Sequence, residues 1–149
     1  MGVLSGSSSA EIDAPLEKVW EIVADVESAP DWQGGMKDLE ALEHDAEGRP
    51  TLVETAADAK VTTVKTRVRF SYEPPTRLSW TQEKGDFKSI DGSWELEDLG
   101  DGRTRATYSL TGDTGRVLGM VIRGPVEDKL RDMLVNARAG ELKAHVEHG

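Results

Sequence analysis

Val126-Glu127-Asp128-Lys129-Leu130-Arg131-Asp132-Met133-Leu134-Val135-Asn136-Ala137 decides the fold. Its apolar residues return at helical spacing at Val126, Leu130, Met133, Leu134 and Ala137, which predicts one long amphipathic helix from Pro125 onward. Strand signals fill Met36 to Thr111 upstream, so this lone helix has only a sheet against which to bury its apolar stripe. At the other end of the chain, Ser7 to Ile12 alternates as a strand, and Pro15 to Val26 places Leu16, Val19, Trp20, Val23 and Val26 at helical spacing. A strand, a helix, a run of strands and a final helix make a container, and a container implies a ligand.

Pro15 suits a first helical turn, where its fixed φ fits and its missing N–H goes unmissed. The helix is expected to stop before Pro30, because that ring turns Ala29 away from helical geometry. Asp31 and Trp32 then fall in a turn, and Gly34-Gly35 releases the chain into the sheet. Five or six strands follow, divided at Asp45 to Pro50, Asp58-Ala59, Pro74-Pro75, Gly85-Asp86 and Gly100-Asp101-Gly102, which are hairpin spacings of an antiparallel sheet. Val64, Thr66, Val68 and Phe70 alternate with Lys65, Arg67 and Arg69, so the first set faces inward and the basic set faces water. Leu78 with Trp80, Ile90 with Trp94 and Leu96, and Ala106 with Tyr108 and Leu110 continue the inward face, and Val53, Thr55 and Ala57 give a weaker strand signal.

A chain of 149 residues is one domain, 1–149, with the Gly/Ser-rich start, residues 1–6, expected to be flexible. The formal charge of −10 repels a phosphate backbone, which argues against nucleic acid as a partner. There is no cysteine, so thiol nucleophiles, disulfides and cysteine metal sites are excluded. No stretch is long and apolar enough to span a bilayer, and the start lacks the basic and apolar regions of a signal peptide, so a cytoplasmic protein is expected. Gly2 fails as a myristoylation site because Gly6 stands where Ser or Thr is needed. Between Gly112 and Gly124, four glycines surround Val117, Leu118, Met120, Val121 and Ile122, which fits either a helical extension or a mobile flap.

Several pieces together carry a resemblance that covers nearly the whole chain. They are Ile12-Asp13-Ala14-Pro15 before Val19-Trp20-Glu21-Ile22-Val23, then Asp25-Val26-Glu27 and Pro30-Asp31-Trp32. Later come Tyr72-Glu73-Pro74-Pro75 with Leu78-Ser79-Trp80, and Gly92-Ser93-Trp94-Glu95-Leu96 before Gly102-Arg103-Thr104-Arg105. The chain resembles the START-related, birch-allergen-like superfamily of helix-grip proteins, in its polyketide cyclase/dehydrase and coenzyme Q-binding branch. The resemblance implies an α+β helix-grip fold. In it a curved antiparallel sheet wraps around the long C-terminal helix, two short helices near the N-terminus close one end, and an apolar cavity lies between sheet and helix. Relatives include carriers, cyclases, lyases and regulators, so the resemblance specifies the fold and carries over no catalytic set.

The residues themselves nominate a pocket: Trp32, Thr66, Val68, Phe70, Trp80, Gln82, Ile90, Trp94, Tyr108, Val126, Leu130 and Leu134 are the expected ligand-binding set. Trp80, Trp94 and Tyr108 serve core packing and stacking on a planar ligand equally well. Tyr108 is the strongest of the three, since a phenol in an apolar pocket needs a partner and can orient a ligand carbonyl or hydroxyl. Trp20 is expected to pack its helix on the sheet, and Trp32 to stand at the entrance. Thr66 and Gln82 can each offer a hydrogen bond without the desolvation cost of a charge. Arg123 and Arg131 can reach an anionic oxygen, although a solvated surface position is the ordinary place for an arginine. Tyr108 and Arg123 are the catalytic candidates. Asp91 alternates outward with Ser89 and Ser93, and Glu95 and Glu97 share that outer face. His44 lies apart from His145 and His148, and the latter pair lacks a third ligand, so no metal is expected. No nucleophile elbow, phosphate loop or dinucleotide fingerprint is present, and no cofactor is expected.

Three readings remain. The first is binding or transport of one apolar small molecule of polyketide, isoprenoid quinone or lipid class. The second is an aromatase/cyclase that folds a poly-β-keto chain and assists its dehydration. The third is a module that modulates a partner protein through its exposed sheet face, which would require an apolar patch where Lys65, Arg67 and Arg69 stand, and a protein partner or a homodimer stands among the expected partners.

Overall fold

A computed structural model describes residues 2–58 and 62–148. Seven strands form one antiparallel sheet: β1 Gly2–Ile12, β2 Met36–His44, β3 Pro50–Asp58, β4 Thr63–Glu73, β5 Arg77–Gly85, β6 Ser89–Gly100 and β7 Arg103–Thr114. Six of them run as a meander from β2 to β7, and β1 adds beside β7, giving the order β1-β7-β6-β5-β4-β3-β2. The strands break at the expected turns. Of the Asp58-Ala59 turn, Ala59 lies outside the described residues. Val64, Thr66 and Val68 are buried while Lys65 is exposed, and Arg67 and Arg69 keep their guanidinium groups at the surface, so the alternation holds.

The start of the chain departs from expectation. The stretch from Gly2 to Gly6 is not a loose end, because it belongs to β1, which pairs with β7 from Val3 opposite Asp113 to Ile12 opposite Thr104. Leu4 is buried, and the serines that suggested flexibility alternate faces along a paired strand. Small residues serve here because the C-terminal helix crosses close by: a side chain at Gly6 would meet Val135 and Arg131.

Helix α1, Leu16–Ala24, starts after Pro15 and buries Val19 and Val23. A 3₁₀ turn follows at Val26–Asp31 with Pro30 inside it. Gly35 has φ of 81°, in the left-handed region that glycine tolerates, and leads into β2. The glycine-rich stretch from Gly112 to Gly124 is strand as far as Thr114 and then helix α2, Gly115–Val121. That helix buries Leu118 and leaves Val117, Met120 and Val121 exposed.

The C-terminal helix is not one regular helix. It runs as α3, Pro125–Arg131, a π-helical turn, Asp132–Asn136, and α4, Arg138–His148. The π turn is marked by the Ala137 N–H donating to Asp132 O at 3.0 Å. Just beyond it, the Ser8 hydroxyl of β1 donates to Val135 O at 2.7 Å and accepts from Ala139 N–H at 3.2 Å. A side chain from the sheet thus stands where Ala139 would otherwise bond Val135 directly, one of the recognised causes of a break in the helical ladder.

The interior comprises two clusters. The larger joins α1, the sheet and α4 around Ile12, Val19, Val53, Trp94, Ala106 and Leu142. The smaller joins Leu4, Val64, Leu118, Ile122 and Leu130. The outer face of the sheet carries ion pairs, among them Arg69 with Glu43 and Glu83, Arg77 with Glu95, and Arg105 with Glu97 and Glu11. Among the described residues no helix is long and apolar enough to cross a membrane.

Two substitutions test this architecture. Ser8→Ala leaves Val135 O and Ala139 N–H without their bridging hydroxyl and is expected to cost about 1–2 kcal/mol of stability by chemical denaturation. Gly92→Ala puts a methyl group into the indole of Trp80, its cross-strand partner, and is expected to cost about 1–3 kcal/mol while pushing that ring into the interior.

Candidate functional site

Between the two clusters lies a cavity of 1120 Å³, its open mouth included. The curved sheet supplies its floor, the C-terminal helix its roof, and the 3₁₀ turn with Trp32 one end. Of the described residues that bound it, only Asp25 is exposed.

An aromatic tier crosses the floor. Phe70 and Trp80 lie 5.6 Å apart between ring centres, Trp80 and Tyr108 5.7 Å, Trp94 and Tyr108 4.9 Å edge to face, and Trp32 and Trp94 6.1 Å. The tier exists because Phe70 opposes Trp80 across β4 and β5, and Trp94 opposes Tyr108 across β6 and β7, all with inward parity. Trp80 lies flat on Gly92, where any side chain would collide with it. Glycine at this position therefore makes room for the ring.

Ten of the twelve expected ligand-binding residues bound the cavity: Trp32, Thr66, Val68, Phe70, Trp80, Ile90, Trp94, Tyr108, Leu130 and Leu134. Gln82 does not. Its amide nitrogen donates to Phe87 O at 2.8 Å, so the side chain is used to hold the β5–β6 turn. Val126 packs against the smaller cluster without reaching the cavity wall. Arg123 is exposed and off the wall. Arg131 is turned away as well, donating to Ser5 O and pairing with Glu127 and Asp128. The Thr66 hydroxyl shares a 2.9 Å hydrogen bond with Thr55, also on the wall. Trp20 packs against the larger cluster. His145 stacks on Trp32 at 5.9 Å, and His44 lies 3.8 Å from Glu27. Among the described residues no cluster of histidine and acidic side chains suits a metal ion.

The residue that sequence reading missed is Arg138. It is 3% exposed and is the one charged side chain among the described buried residues. Its Nη1 donates to Gly34 O at 3.0 Å and to Glu141 Oε1 at 2.8 Å, and Glu141 Oε2 accepts from Gly34 N–H at 2.9 Å. The peptide at Gly34 is thus clamped to the helix. The guanidinium carbon lies 5.8 Å from the Tyr108 ring centre. Burial pushes the Tyr108 phenol above its usual pKa, and the charge and hydrogen bond of Arg138 pull it partly back. The phenol is therefore protonated at neutral pH and is able to donate a hydrogen bond. Helical spacing puts Arg138 eight residues after Leu130, on the same stripe, but an arginine is ordinarily solvated, so its burial was not read from the sequence. All three bound the cavity, with the π turn lying between Leu130 and Arg138.

Comparisons with known proteins place this geometry. No curated protein matches the sequence. Solved structures do match it along almost its full length. A START superfamily protein from Mycobacterium smegmatis is 22% identical, with 98% of each chain covered and a TM-score of 0.82. A protein from Thermus thermophilus is 20% identical, with 95% of this chain and 96% of that one covered and a TM-score of 0.80. The Zhui aromatase/cyclase from a Streptomyces species is 21% identical, covering 98% of this chain and 94% of its own, with a TM-score of 0.74. At these identities the structures establish the helix-grip fold. The profile of the family described as polyketide cyclase / dehydrase and lipid transport matches residues 12–138, and the chain belongs to that family.

Proposed function

We propose that this protein binds one apolar, planar small molecule of polyketide, isoprenoid quinone or lipid class in the cavity between sheet and C-terminal helix. Its absence of cysteine suits a cytoplasmic setting. The observation that carries the reading is the aromatic tier of Phe70, Trp80, Tyr108, Trp94 and Trp32 on a wall whose only charged members among the described residues are Asp25 and Arg138. Offset and tilted rings offer faces to a flat ligand, and an apolar wall with few polar groups is the usual make-up of a small-molecule site.

Catalysis of cyclisation is the second reading, and the Tyr108–Arg138 pair favours it. A protonated phenol can donate to a carbonyl oxygen while an enol carbon attacks that carbonyl, and the adjacent guanidinium stabilises the phenolate left behind. The same chemistry also needs a base. The one carboxylate on the wall, Asp25, is exposed and accepts from the Ser28 hydroxyl at 2.7 Å. This imbalance of donors over bases favours binding as the leading reading. The partner-module reading draws least support, because the outer face of the sheet bears ion pairs in place of an apolar patch.

Native mass spectrometry of gently purified protein, followed by organic extraction, is expected to find a stoichiometric apolar adduct, with weaker retention in a Trp80→Leu variant. A protein that carries nothing and takes up no member of a panel of quinones, lipids and aromatic polyketides overturns the reading. Tyr108→Phe separates binding from catalysis. For a binding protein it lowers affinity about tenfold or less, the worth of one hydrogen bond. For a cyclase assayed on a poly-β-keto substrate it lowers kcat by about a hundredfold or more. The wild-type rate would show no fall from Tyr108 ionisation between about pH 6 and 9, because a phenol raised above its usual pKa of about 10 keeps its proton throughout.

A further inference from the structure

Four large apolar side chains stand exposed among the described residues: Leu42 on β2, and Val117, Met120 and Val121 together on α2. Val117 is 78% exposed and Met120 65%, so both project from the surface. Spacings of three and four residues put the three on one side of the helix. Leu118 and Ile122, in the same segment, turn the other way into the smaller cluster. Gly115 and Gly119 add no polar group, which leaves Arg116 as the one polar side chain of α2. A helix that is apolar on its outer side as well as its inner one is ordinarily covered on both.

The surroundings of α2 also reverse the sign of the molecule. The chain has a formal charge of −10, yet residues 114–126 contain Arg116 and Arg123 and no acid. Lys88, on the turn before β6, packs close to α2, because a side chain at Gly115 would meet its Cβ. All three cations are exposed, and none has a carboxylate partner among the described residues. The acids nearest to α2 in sequence are engaged elsewhere. Asp113 accepts from the Gly115 N–H at 2.9 Å, and Glu127 and Asp128 pair with Arg131.

An apolar knob rimmed by unpaired cations matches the surface of an anionic bilayer, where apolar side chains enter the acyl boundary and cations meet lipid phosphates. Two other covers match less well. A stable protein interface takes about 800 Å² from each partner, and three side chains of a seven-residue helix present far less. A second copy related by a twofold axis would set the arginines of like patches against each other. The acidity of the remaining surface does not forbid docking, because at physiological ionic strength charges more than about 8 Å away are largely screened.

We propose that α2, with Arg116, Arg123 and Lys88 around it, is a peripheral docking surface for a bilayer that contains anionic lipid, and that Val117, Met120 and Val121 are its apolar contacts. The contact is reversible and lies on the surface of the bilayer. It concerns the outer side of α2 alone and does not depend on what the cavity binds.

The test is flotation with vesicles of pure phosphatidylcholine and with vesicles of equal parts phosphatidylcholine and phosphatidylglycerol. Wild-type protein is expected to partition at least about tenfold more strongly onto the mixed vesicles. A Val117→Ser/Met120→Gln variant is expected to lose about tenfold or more of that partitioning, and Arg116→Gln/Arg123→Gln a similar factor. Leu42→Gln, which removes the exposed apolar residue that lies away from α2, is expected to leave it unchanged. All these side chains are exposed, and folding is checked by circular dichroism; should the apolar variant unfold, the arginine variant decides. No retention on either vesicle, equal retention on both, or retention unchanged in the folded α2 variants overturns the proposal. So does a wild-type dimer by sedimentation velocity that the apolar variant dissolves, which would assign the patch to a second copy. Uptake of apolar ligands is measured separately, and its failure overturns the cavity reading while the docking surface stands.

Discussion

The Ser8 hydroxyl, wedged between Val135 O and Ala139 N–H, is the joint on which the rest of the structure depends. It ties the edge strand β1 to the C-terminal helix at the point where that helix leaves regular α geometry. Without a donor and acceptor supplied from the sheet, a widened turn would leave a carbonyl and an amide unpaired in the interior, which is costly. With them, the helix keeps its buried face on the sheet through α4, where Ala139, Leu142 and Val146 complete the larger cluster.

The cavity follows from two curvatures that do not match. A helix lying across a curved sheet can touch it along part of its length only. The structure meets this limit with two packed clusters and an unfilled space between them. Aromatic rings cover the floor of that space, so it is bounded by large rigid surfaces instead of collapsing onto flexible side chains. The outer face contributes little to stability in comparison. Its arginine–glutamate pairs are largely exposed, and exposed pairs are worth about 0–1 kcal/mol each. Their effect is to keep the outer face charged and free of apolar surface.

Membership of the family and likeness to START and aromatase/cyclase structures fix the container and leave its contents open, since one fold hosts several activities. The contents are constrained by the wall itself. A single buried cation, offset by Glu141 and placed next to a protonated phenol, makes a site that gives hydrogen bonds and holds no buried base among the described wall residues. Such a wall can orient a ligand and polarise an oxygen on it. Proton abstraction would have to come from the exposed Asp25 or from the substrate's own acidity.

Strand parity needs only neighbours two residues apart, so the sequence by itself determined the antiparallel sheet, its inward rows and the aromatic tier of Phe70, Trp80, Trp94 and Tyr108. Helical spacing likewise marked α1 and the Leu130–Leu134 face. Tertiary structure decided what depends on distant partners. The serines of β1 looked like a flexible end until β7 paired with them. Gln82 has the right parity but is taken by the Phe87 carbonyl, and Arg123 stays in solvent because nothing buried turns toward it. Arg138 lies at helical spacing from Leu134, yet its burial could not be read because it rests on the hydrogen bond it donates to Gly34 O, 104 residues away in sequence. A hydrogen bond across that separation leaves no trace in local periodicity, and only the folded chain brings its two ends together.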